Sequence, residues 1–82
     1  MNRTHLLTIK ARYSINCHSP RMIIAKDTML EVYEEPSGEI VIPLGGRFSL
    51  ELCVSKKDLE GFLKYKIFEI VQVHLERERT DA

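Results

Sequence analysis

Leu63-Lys64-Tyr65-Lys66-Ile67-Phe68-Glu69-Ile70-Val71-Gln72-Val73-His74-Leu75 decides the architecture, because the stretch reads in two ways. Leu59, Phe62, Leu63, Ile67, Ile70, Val71, His74 and Leu75 recur at spacings of three and four, the template of an amphipathic helix. Ile67, Ile70, Val71 and Val73 are β-branched, and such side chains sit better on a pleated sheet. The spacing predicts one helix over about 56 to 77. The β-branched content keeps a short helix followed by a strand over about 67 to 76 as the alternative. Either begins at Ser55-Lys56-Lys57-Asp58, a variant capping box in which Ser55 accepts from the amide three residues on.

On a helical wheel of about 100° per residue, the apolar side chains cover more than the stripe that one sheet face needs. The surplus, led by Phe68 and Leu75 with Val73 beside them, predicts a second copy as cover, because most soluble oligomers are symmetric homodimers.

Upstream the pattern is strand-like. From His5 to Asn16 the chain alternates, with Leu7, Ile9, Ala11, Tyr13 and Ile15 on one face and Thr8, Lys10, Arg12 and Ser14 on the other. Ser19-Pro20 breaks this strand, a short strand follows over 21–26, and a bend at Lys26-Asp27 leads to another over 28–34. Glu35-Pro36-Ser37-Gly38 reads as a tight turn, and Gly45-Gly46 as a hairpin between strands over 39–44 and 47–54. Pro43 cannot donate to a ladder, so it belongs at an edge or a strand end.

The expected fold is α+β: an antiparallel sheet of about four to five strands in hairpins and a meander, with one C-terminal α-helix packed on it. Its 82 residues form a single small domain, 1–82, with 1–4 and 77–82 frayed. The expected core draws on Leu7, Ile9, Ile15, Ile24, Leu30, Val32, Ile40, Ile42, Phe48, Leu50, Leu52, Leu59, Leu63, Ile67 and Val71. No apolar run is long enough for a signal peptide or a membrane span, and two cysteines make no disulfide framework. Both point to a cytoplasmic protein with reduced thiols and no membrane partner.

The net charge of zero conceals polarity. Residues 1–26 hold Arg3, Lys10, Arg12, Arg21 and Lys26 with no acid, whereas 27–60 hold eight acids against Arg47, Lys56 and Lys57. Lys10, Arg12 and Arg21 are therefore the candidates for facing an acidic partner. Lys10 and Arg12 project from one strand face at roughly the 6.6–7 Å repeat of alternate residues, close to successive phosphates. Nucleic-acid binding is thus the alternative function. Tyr13 on the opposite face supplies no stacking platform, and Glu31 and Glu51 on neighbouring strands could balance the charge internally.

No motif supports catalysis or a cofactor. Cys17-His18 could be joined by Cys53, His5 or His74 as metal ligands. An adjacent pair suits tetrahedral ligation poorly, and no second close pair exists, so no metal is expected. Neither cysteine has a glycine-rich elbow or oxyanion motif, and Gly45-Gly46-Arg47 lacks phosphate-cradling spacing. A small enzyme using Cys17 or His74 is the least favoured reading.

Gly38-Glu39-Ile40-Val41-Ile42-Pro43 resembles the Gly-x-Val-Val-Ile-Pro stretch of AbrB-type swapped-hairpin transcription factors over six residues. The arginine-bearing helical turn which that family places next is absent, since Leu44-Gly45-Gly46 runs into another strand, and the resemblance carries no function. The expected function is a non-enzymatic protein-interaction module, a cytosolic homodimer that regulates, adapts or inhibits another macromolecule. Phe68, Val73 and Leu75 would mediate its self-association.

Overall fold

An amphipathic strand buries its apolar face and leaves two backbone edges that must be satisfied. Thr4–Ala11 (β1) finds a partner on each edge in the computed structural model, which describes residues 3–18, 21–45 and 49–74. On one side lies Met29–Glu34 (β4) and on the other Phe68–Val73 (β7), both antiparallel. Ile40–Gly45 (β5) and Leu50–Val54 (β6) continue the sheet beyond β4, giving the order β6-β5-β4-β1-β7. Ile15–His18 (β2) and Arg21–Ile24 (β3) form a separate two-stranded hairpin. Lys56–Lys64 (α1) links β6 at one edge of the large sheet to β7 at the other.

Residues 5–16 are not one strand. The Arg12 amide donates to the Ile67 carbonyl at 3.0 Å, while the Ala11 amide donates to the Thr28 carbonyl at 3.0 Å and the Asp27 amide to the Ala11 carbonyl at 2.8 Å. The chain therefore turns at Arg12–Ser14. Ile15 and Cys17 then pack against the core that Ile9, Val32, Ile40, Ile42 and Leu59 form, and Ile24 is buried within it. Tyr13, expected on the apolar face, is exposed in this bend.

The turn at Glu35–Gly38 follows the sequence. Gly38 donates to the Glu35 carbonyl at 2.8 Å with φ at 96°, a left-handed conformation that glycine adopts without cost. β5 and β6 pair as the expected hairpin, but Gly45 stands in the ladder opposite Leu50 rather than at the centre of a two-residue turn. Pro43 lies beyond the β4–β5 pairs, which involve Ile40 and Val41, so its missing donor interrupts no bond to β4. Phe48, expected in the core, lies outside the described residues.

The last element corrects the long-helix reading, and with it the C-terminal position of the helix. Ser55 caps α1 as expected, its hydroxyl accepting from the Asp58 amide at 3.0 Å. The helix stops at Lys64, because Lys66 takes a left-handed φ of 62°. Ile67 N–H then returns to Phe62 O at 2.9 Å and Lys66 N–H to Leu63 O at 3.1 Å, the paired bonds of a Schellman cap. Ile67 and Phe62, both packed against the core, supply the apolar contact that accompanies such a cap. Leaving the helix lets residues 68–73 satisfy the open edge of β1. Phe68 becomes core at 4% exposure and meets Phe62 edge-on, with ring centroids 5.8 Å apart. Val71, expected in the core, is instead 46% exposed. No helix among the described residues is long and apolar enough to cross a membrane.

Lys66 makes this ending testable by sign. In a left-handed position a side chain costs on the order of 1 kcal/mol, so Lys66→Gly is expected to raise stability by about that amount. In a helix running through residue 66, the same substitution would lower stability by about 1 kcal/mol. Urea unfolding of the two proteins separates the outcomes.

Candidate interaction edge

β7 ends the large sheet, so one row of its amides and carbonyls has no partner strand among the described residues. Its register along β1 is irregular: Phe68 faces Ala11, Glu69 faces Lys10 and Ile70 faces Ile9, but Gln72 faces Thr8 and Val73 faces Leu7. Val71 is the extra residue, a β-bulge. Opposed residues share a face, so Ile70 and Val73 lie on the core side with Ile9 and Leu7. Core cover reaches only the start of the strand. Phe68 is buried, whereas Ile70 and Val73 are 46% and 59% exposed. Among the described residues, an unpaired backbone edge and an uncovered apolar row therefore coincide.

The opposite face of the same three strands is polar. β1 carries a second bulge, on its β4 side: His5 faces Tyr33 and Leu7 faces Val32, leaving Leu6 unmatched. That extra residue moves His5 off the apolar face to which simple alternation assigns it. His5 then shares the outer face with Thr8, Glu31 and Tyr33. His74 closes the group from the end of β7, held by its own N–H donating to Leu6 O at 2.8 Å. The His5 ring is stacked between Tyr33 and His74, with centroids 4.7 and 3.9 Å away.

Glu31 is the hub of this group. Its Oε1 lies 2.7 Å from both His5 Nε2 and the Thr8 hydroxyl, and 4.0 Å from His74 Nε2. The Thr8 hydroxyl also lies 2.7 Å from His74 Nε2. The Thr8 hydrogen bond is the main cause holding the Glu31 carboxyl below the usual range; desolvation opposes it, and the bond and charge of His5 and the charge of His74 assist. The Thr8 hydroxyl has one proton and gives it to Glu31, so it accepts from His74, whose Nε2 carries the hydrogen.

The sequence-derived candidates are dispersed. Phe68 is core, Val73 is on the exposed edge, and Leu75 lies outside the described residues. Lys10 is half-buried opposite Glu69 and Met29, Arg12 is exposed in the bend, and Arg21 sits at the far end of the β2–β3 hairpin. Part of the charge asymmetry is balanced internally, since Arg3 reaches Glu35 at 2.6 Å and Glu51 at 3.0 Å; within the acidic segment Lys56 reaches Glu34 at 2.9 Å. Cys17 and Cys53 are both free thiols. Desolvation, then Glu39 and Glu51, push the Cys53 thiol up, away from the reactive thiolate.

Ile70 and the His5–Glu31–His74 convergence were not found from sequence. Ile70 was hidden by the helical reading, and the three polar residues are brought together by bulges that leave no mark in an alternation pattern. Comparison of the chain with protein families, with curated proteins and with solved structures finds no match.

A depressed folded-state pKa means that the Glu31 carboxylate stabilises the fold above the ordinary glutamate range. That contribution is lost as pH falls through the folded value. Glu31→Gln is expected to be less stable than wild type at neutral pH, with the gap closing in acid. Chemical denaturation across pH, with chelator present, checks this; a gap independent of pH would mean the charge contributes nothing.

Proposed function

We propose that the protein is a small non-enzymatic interaction module that pairs with a second copy along β7 and acts as a regulator, adaptor or inhibitor of another macromolecule. The carrying observation is that a sheet edge left unpaired among the described residues coincides with the exposed row Ile70 and Val73. Exposed apolar edge strands template further strand pairing, and proteins ordinarily blunt them with charge, proline or a covering element. Antiparallel pairing of β7 with its symmetry mate makes the sheet continuous across both copies. It also brings the two apolar rows side by side, an isologous contact that closes at two chains. The far edge, β6, has a different character, with Glu51 and Cys53 exposed on its outer face.

Val73 is kept from the sequence-derived set and Ile70 takes the part first assigned to Phe68. Arg12 and Arg21, both exposed, are the side chains this reading offers an acidic partner. It places the protein in the cytoplasm, where free thiols such as Cys17 and Cys53 persist.

Sedimentation equilibrium across concentration tests the pairing. The wild type is expected at twice the chain mass, and Val73→Lys, at an exposed position, as a folded monomer by circular dichroism. Ile70→Lys is expected to act in the same direction. A wild type that stays monomeric, or a Val73→Lys protein that stays dimeric, removes β7 as the interface.

A further inference from the structure

We infer that His5, Glu31 and His74 form a binding site for a divalent transition-metal ion of the zinc class, on the face of the sheet opposite the core. One ring nitrogen of His5, one of His74 and a Glu31 carboxylate oxygen all lie within 4.8 Å of one another. Zinc bound to imidazole nitrogen and carboxylate oxygen at about 2.0–2.1 Å in tetrahedral geometry sets its donors about 3.3 Å apart. The present donor separations from Oε1, 2.7 Å to His5 and 4.0 Å to His74, lie on either side of that value. All three side chains are partly exposed, so they have room to adjust around the ion.

Two imidazoles and a carboxylate, without thiolate, suit zinc and its borderline neighbours rather than calcium or magnesium, which take oxygen sets. His5 and Glu31 stand on the adjacent strands β1 and β4, and His74 directly follows β7 with its amide bonded to β1, so the sheet sets their spacing. The bulge at Leu6 turns His5 outward, and Leu6 O fixes the backbone of His74. The stack of Tyr33, His5 and His74 restrains the His5 ring.

Without metal, Nε2 of His74 donates to Thr8 and the His5 ring bonds Glu31 through the same atom. With metal, the ion takes the Nε2 lone pairs and each neutral ring keeps its proton on Nδ1. The Thr8 hydroxyl, within 2.7 Å of two of the three donors, becomes the outer partner that orients Glu31. Three protein ligands leave a fourth position open to water or to a donor from another molecule. The ion ties β1, β4 and the end of β7 together, so it stabilises the folded chain by mass action. This inference does not depend on self-association.

Calorimetric titration of the whole chain with zinc chloride tests it, alongside thermal unfolding with and without the ion. One equivalent should bind and raise the melting temperature. His5→Gln and His74→Gln should each weaken binding by more than about tenfold, and Thr8→Val by about tenfold, the scale on which even outer partners act. Cys17→Ser/His18→Gln should bind as the wild type does. Cobalt substitution gives a readout independent of stability: a visible spectrum without a thiolate charge-transfer band. Failure of the wild type to bind, equal affinity in the His5 and His74 variants, or loss of binding in the Cys17/His18 variant would each overturn the assignment.

Discussion

β1 needs partners on both edges, and this requirement organises the molecule. β4 reaches one edge through the hairpin excursion that follows β1. The other edge must be filled from the far end of the chain, after β6 has closed the opposite side of the sheet. A helix through residues 66–73 would leave that edge of β1 without its β7 partner, and Ile9 and Ala11 without Ile70 and Phe68 opposite them. Unsatisfied backbone groups against a core cost on the order of 1–3 kcal/mol each, more than the propensity differences that separate helix from strand in this stretch. The left-handed Lys66 is the local strain accepted for that closure.

The two bulges set the chemistry of the faces. One at Leu6 and one at Val71 interrupt the alternation on opposite sides of β1. The first sends His5 to the polar face. The second brings Val73 to the core side and His74 to the outer side. An apolar row and a polar cluster thus occupy the two faces of one short strand pair, and β7 with its following residue contributes to both.

Features whose physics is local were legible in the sequence. Period-two alternation located β1, Gly38 located the β4–β5 turn, the two glycines marked the β5–β6 hairpin, and Ser55 located the start of α1. Ile9, Ile24, Leu30, Val32, Ile40, Ile42 and Leu59 are buried as that pattern requires. The end of the helix was not legible, because its left-handed residue is lysine where glycine is the usual signal. Ile67, Ile70 and Val71 fit a helical stripe as well as a strand, and the vacant edge of β1, a long-range fact, chose between them. The dimer expectation rested on a helix surplus that does not exist. The apolar excess is real, but it lies along a sheet edge. His5, Glu31 and His74 are distant in sequence and meet only through strand order.

Amide hydrogen exchange along β7 at low and high protein concentration tests the central claim most directly, because exchange reads each backbone bond separately. Self-pairing predicts that the β7 amides pointing away from β1 are protected, and that their protection rises with concentration. Amides bonded to β1 that are slow at every concentration, beside outward amides that exchange as fast as those of the Arg12–Ser14 bend, would show an edge that no second copy fills.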